Sequence, residues 1–186
     1  MLEAIEELKN LIDCFGDDVD RCAKELDNWL EPQEQVFWFR MYVRSVFALI
    51  EGVTYQMKQI AYGAHDIIGV DFSDEEINLL REKSFLKFRL NIRFTFKAVA
   101  RVYYSDYELP IKSREWQLLL KATEIRNRLM HPKKADDFII TRDEVEMIHV
   151  SSEWLFSCLV ELQESLIKGW NKKSQELRKQ EDELIM

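Results

Sequence analysis

Residues that break helices are scarce in this chain of 186 residues, which holds five Gly and three Pro. A sandwich or barrel of short strands needs turn residues about every 8–12 positions, and they are not there. Cysteine is scarce too: Cys14, Cys22 and Cys158 make an odd count and no C-x-x-C pair. That excludes a disulfide framework and fits structural thiols in a reducing compartment. No apolar stretch approaches the roughly 20 residues of a membrane span, and the acidic, amphipathic start is unlike a signal peptide. A cytoplasmic location is therefore expected, with no membrane partner. A Gly-rich phosphate loop, a His-Glu-x-x-His and clustered metal ligands are also missing. No metal and no cofactor is expected, so any chemistry should be metal-independent.

What is present is apolar and helical in period. Hydrophobic residues make up 47% of the chain, with eleven Phe and five Trp. That is enough for one globular domain with its own core. The net charge of −8 argues against nucleic-acid binding by the whole surface, so RNA would need a local basic patch. The expected fold is all-α, an up-and-down bundle of about five main helices. The whole chain, 1–186, reads as a single domain, with a helical extension at 1–31, a bundle core at 33–168 and a charged helical tail at 170–186.

The first helical pattern covers 2–15, is punctuated by Gly16, Asp17 and Asp18, and resumes to Leu30. A second helix over 33–62 is apolar nearly all round from Val43 to Val53, as a central helix would be. Gly52 within it would admit a close neighbour. Residues 63–72 read as a loop. His65 there is either a locally bonded histidine or a second active-site imidazole. Ser73 and Glu76 form a capping box for a third helix reaching about Asp106, with Phe85, Phe88, Ile92, Phe96, Val99 and Tyr103 as its core stripe. Ser113 caps the fourth helix, and a second capping box, Thr141 with Glu144, opens the last one. His149, one turn before Glu153, reads as structural.

The fourth helix carries the chemistry. It runs through Arg126, Asn127, Arg128, Leu129 and Met130 and stops at His131, because Pro132 biases the residue before it away from helix. An imidazole at a broken helix end can give or take a proton near neutral pH, and a guanidinium fork suits a phosphate. The amide between them can fix a tautomer or hold a substrate oxygen. Arg126 and His131 lie about 140° apart around an ideal helix. Either the helix end turns, or two copies meet and share a cleft, which makes a homodimer a mechanistic expectation. Glu51 in the central helix should meet a cation, Arg44 or Arg126, since a buried unpaired carboxylate is costly. Arg128 should point to solvent in a supporting role. Arg89, Arg93, Lys97 and Arg101 recur at every fourth position, interleaved with Leu86, Leu90 and Phe94. They are an RNA-tracking face or a solvated one paired with acidic helices. Lys133 and Lys134 could likewise hold an RNA backbone, or offset Asp136 and Asp137.

Arg126-Asn127-x-x-x-His131 resembles the signature of the HEPN superfamily, the higher eukaryotes and prokaryotes nucleotide-binding domains, in which an Arg and a polar residue are followed by three to five residues and a His. Glu124 before the Arg, Leu129-Met130 and Pro132 give a similar context, and the Glu51-Gly52 helix is a second matching patch. The likeness covers roughly residues 33–165, mostly as a helix pattern. It implies an endoribonuclease of toxin–antitoxin or defence type, in which the ribose 2′-hydroxyl attacks the adjacent phosphate and leaves a 2′,3′-cyclic phosphate. His131 would be its general acid/base, Arg126 its phosphate-stabilising cation and Asn127 an orienting group. The implied partners are RNA, a second copy of the chain and, in some relatives, a nucleotidyltransferase-like antitoxin. Other relatives bind nucleotides or proteins without cleavage. Composition alone favours that alternative, a helical interaction module with Arg126 on Glu51 and His131 capping its own helix.

Overall fold

A computed structural model describes residues 2–26, 28, 31–81 and 86–185. Among them the chain is all-helical with no strand. Its helices are α1 (Leu2–Leu26), α2 (Pro32–Ile68), α3 (Asp74–Arg81), α4 (Phe88–Val102), α5 (Arg114–Met130) and α6 (Arg142–Ile185), with one 3-10 turn at Ala135–Phe138. The described helices number six and not about five, because the expected third helix is two. The Ser73–Glu76 box opens α3, with bonds of 3.0 and 3.2 Å. Leu86 and Lys87 are non-helical, and α4 starts after them. Phe85 falls outside the described residues.

The helices group into two compact units, one of Leu2–Gln56 with Pro110–Leu155 and one of residues 57–109 with 156–186. The first unit buries Val43, Val46, Phe47 and Ile50 of α2, Trp116, Leu119, Ala122 and Leu129 of α5, and Ile148 and Leu155 of α6. Its α1 runs unbroken past Gly16, contrary to the expected punctuation. Asp17 and Asp18 face solvent on the helix, and a single interior Gly costs only about 1 kcal/mol. Gly52 is likewise no close-approach site: an added Cβ would sit 3.5 Å from Leu11 Cδ2 and 3.9 Å from Phe15 Cε2, ordinary contact distances.

In the second unit Leu80, Ile92, Phe96, Val102 and Leu162 are buried. The end of α2 belongs here and continues through Gly63, so His65 sits in its last turn and not in a loop. His65 Nδ1 lies 2.7 Å from the Tyr62 carbonyl, and its ring stacks on Tyr62. A local structural role accounts for it. Helix α4 ends with Tyr104 in the left-handed region at φ 54°, while the Tyr104 and Ser105 N–H groups donate back to the Arg101 and Ala100 carbonyls at 3.3 and 2.9 Å. These paired bonds close the helix C-terminus. The resulting turn lies against Gly169 of α6, where an added Cβ would meet the Tyr104 and Tyr103 carbonyl oxygens at 2.5 and 2.6 Å.

Candidate functional site

Helix α5 is set at its N-terminus by Ser113, whose Oγ accepts the Trp116 N–H at 3.0 Å. Trp116, Leu119, Ala122, Ile125 and Leu129 hold one face in the core. Arg126 and Asn127 emerge beside that face. The helix ends at Met130, and His131 leaves the helical path at φ −130°, ψ 59° while its N–H still donates to the Asn127 carbonyl at 3.0 Å. Pro132 accounts for the stop. Met130 is 46% exposed because the last turn runs out past the core.

The Arg126 guanidinium donates from one terminal nitrogen to Glu51 Oε1 at 2.6 Å and from the other to Asn127 Oδ1 at 3.1 Å. The Arg126 and Glu51 side chains are 23% and 46% exposed, so the ion pair is open to water. Glu51 is therefore not the buried carboxylate expected from its apolar helix. Of its two candidate partners Arg126 holds it, and Arg44 stands exposed. A guanidinium offers five N–H donors, so two bonds leave capacity for a further anion. The His131 side chain is exposed, and its ring has no hydrogen bond or ion pair with a described residue.

Arg128 does not point to solvent. It donates to the Ile139 carbonyl and to Glu144 Oε2, both at 3.0 Å, tying the stretch after His131 to the start of α6. Burial pushes the Glu144 carboxyl up, but the Arg128 bond and the Thr141 N–H outweigh it and hold it below the usual carboxylate range. The Thr141–Glu144 box forms as expected, at 2.9 and 3.3 Å. Between these anchors the 3-10 turn packs on α5. Asp137 Oδ2 accepts the Lys133 and Lys134 backbone N–H groups at 2.7 and 3.1 Å, which shapes the turn and lowers the Asp137 pKa. Both lysine side chains remain exposed, with Lys134 Nζ only loosely near Asp136 at 3.8 Å. Phe138 and Ile139 are exposed on the same turn.

The structure thus brings Glu51, Arg126 and Asn127 into contact, links His131 to Asn127 through the backbone, and places Arg44 and Arg128 outside that cluster. Arg89, Arg93, Lys97 and Arg101 lie in the other unit, all exposed along α4. Arg101 is spent within that unit: it bonds both Glu76 oxygens at 3.1 Å and the Asp71 carbonyl, and lies 4.6 Å over the Phe72 ring. The Ser73 N–H and the Arg101 guanidinium hold Glu76 below its usual range against the pull of burial. Arg89, Arg93 and Lys97 make no ion pair with a described residue.

Two features went unread in the sequence, and a third, His149, was read as structural without its partner. His149 Nδ1 lies 3.0 Å from the Tyr42 hydroxyl, whose pKa burial pushes up to about 12. This locks α2 to α6 in the first unit. Lys58 is 3% exposed, and burial lowers its pKa. A lone Lys inside the run Gln56–Ile60 gives no signal of its depth. An open cavity of about 490 Å³ is lined by Glu25, Gln33, Glu34, Phe37 and Trp38. Among the described residues no three His, Cys, Asp or Glu are grouped as a metal site requires, and no helix is long and apolar enough to cross a membrane. Compared with family models, curated proteins and solved structures, the chain matches none of them.

Proposed function

We propose that the chain is a metal-independent endoribonuclease of HEPN type, acting at the C-terminal end of α5. The observation that carries this reading is the state of Arg126, five residues before an exposed His131. Its guanidinium is oriented by Glu51 and Asn127 in an open pair, with N–H donors to spare, near a helix end where His131 stands exposed. In the reaction His131 takes the proton of a ribose 2′-hydroxyl as that oxygen attacks the adjacent phosphorus. The 5′-oxygen of the next nucleotide leaves with a proton taken from water, giving a 2′,3′-cyclic phosphate. Arg126 stabilises charge on the phosphate oxygens, and Asn127 holds Arg126 in place. Arg128 positions the turn that carries Lys133 and Lys134, both placed to meet the RNA backbone. Arg89, Arg93 and Lys97 form a second candidate RNA face, from which Arg101 is withdrawn by its bonds to Glu76. Arg44 is exposed in α2 and has no assigned contact in this scheme. The fold this reading implies is an up-and-down, HEPN-like bundle working as a cytoplasmic homodimer. Its setting is a toxin–antitoxin or defence system with a nucleotidyltransferase-like antitoxin as partner.

The test is single-stranded RNA with the purified protein in EDTA, comparing wild type with Arg126→Ala and His131→Ala. Each variant is expected to lose about a hundredfold or more in rate while melting within a few degrees of wild type. The Glu51 ion pair favours a second reading, because it neutralises the cation a phosphate would need. On that reading the chain is a non-catalytic nucleotide-binding or protein-interaction module. No cleavage by wild type, with Arg126→Ala melting lower, selects the module; a nucleotide that raises the melting temperature through Arg126 selects nucleotide binding.

A further inference from the structure

Beyond residue 156, α6 carries an apolar stripe that its own unit leaves about half exposed, with the Trp170 ring edge-on to Tyr103. Val160 is 57% exposed, Ile167 54%, Trp170 42% and Leu177 47%. With Gln163 and Ser174 they fall at alternating spacings of three and four residues, the a/d seam of a helix that packs lengthwise on another helix. The inward face is a different one, formed by Cys158, Leu162 and Gly169. From Asn171 to Gln180 only Lys173 and Ser174 are even half-buried, yet the segment is helical.

The stripe is self-complementary when reversed. Set antiparallel to itself about a two-fold axis between Lys168 and Gly169, it pairs Val160 with Leu177, Gln163 with Ser174 and Ile167 with Trp170, each twice. Apolar meets apolar and polar meets polar in every layer. Charge follows the same reversal. Of the charged side chains that flank the stripe, Glu164 precedes the axis, while Lys173 and Arg178 follow it. A parallel pairing would set Lys173 of one copy beside Arg178 of the other, whereas the antiparallel one turns the end with Glu164 over that basic end. A two-fold pairing is also the symmetry by which one patch satisfies itself.

We infer that residues 160–177 of α6 form an antiparallel homodimer seam with a second copy of this chain. The nuclease reading asks for two copies that share a cleft at the end of α5, and the α6 seam is a separate contact. The seam stands on its own observations and holds whether or not RNA is cleaved.

Sedimentation of the full chain across the micromolar range tests it. Wild type is expected to approach twice the 22.3 kDa chain mass, and Ile167→Glu to sediment as a monomer that keeps its helicity. Register is read with Val160→Cys and Leu177→Cys combined in a Cys14→Ser background and oxidised with diamide. The two positions lie about 25 Å apart along one helix, too far to bridge within it. Peptide mapping should find 160 joined to 177 of the second copy, in a species of dimer mass. A wild type that stays monomeric, a dimer indifferent to Ile167→Glu, or 160–160 and 177–177 links would each overturn the proposal.

Discussion

The two units spend their polar groups differently. In the first, several polar side chains are engaged with one another: Arg126 with Glu51, Arg128 with Glu144, Tyr42 with His149. The His131 ring has no such bond with a described residue, and that is what makes it a candidate for chemistry. In the second unit Arg89, Arg93 and Lys97 have no ion-pair partner among the described residues, and Val160, Ile167, Trp170 and Leu177 face outward. A surface whose polar groups are anchored is suited to hold a small reacting group still. One with loose cations and bare apolar side chains is suited to cover something large. The difference divides the roles, with chemistry assigned to the first unit and contact to the second.

The sharpest way to break this comparison is Gly169→Ala. The new methyl would meet the Tyr103 and Tyr104 carbonyl oxygens at under 3 Å, backbone that is already pinned by the closing bonds of α4. A loss of about 2–4 kcal/mol is expected in chemical denaturation. A variant as stable as wild type would mean that α6 is free to lift from the α4 turn, and the second unit would not present its stripe in a fixed place.

A middle-sized effect should come from acid. Glu76 in the second unit and Glu144 in the first both have carboxyls held below their usual range, by the Ser73 N–H and Arg101 in one case and by Arg128 and the Thr141 N–H in the other. Each contributes stability that is complete above the ordinary carboxylate pKa and is lost as pH falls through the lowered folded value. Glu144→Gln should therefore cost about 1–2 kcal/mol at neutral pH, a difference that shrinks below about pH 4. A pH-independent deficit would locate its effect in packing and not in the ionised cap.

The smallest effect is the counterpart of the largest. Gly52→Ala puts a methyl at ordinary contact distance from Leu11 and Phe15 in mid-helix. It should raise stability by about 0.5 kcal/mol through helix propensity. Destabilisation by more than that would show the α1–α2 contact to be tighter than the geometry.

What was legible in the sequence follows the same division between local and non-local. Caps act over three residues, so Ser73, Ser113 and Thr141 marked their helix starts, and Pro132 marked the stop at Met130. Glycine was misread three times, because its meaning depends on what faces it. Gly16 and Gly63 lie inside unbroken helices, Gly52 touches only side chains, and Gly169, read only as the boundary before the charged tail, is set against backbone. The Glu51–Arg126 contact was one of two alternatives the spacing allowed, and its openness to water was not foreseen. Arg128 was misjudged because the turn it anchors folds back on α5 from outside the helix whose spacing was being read. The exposed seam of α6 has the same period as its buried face, and periodicity alone does not say which face is covered.

The central claim is chemical and is tested most directly by the end group on cleaved RNA. A labelled single strand incubated with the full chain in EDTA should yield upstream fragments ending in a 2′,3′-cyclic phosphate, and none with His131→Ala. Intact RNA with wild type, or fragments ending in a free 3′-hydroxyl, would contradict it.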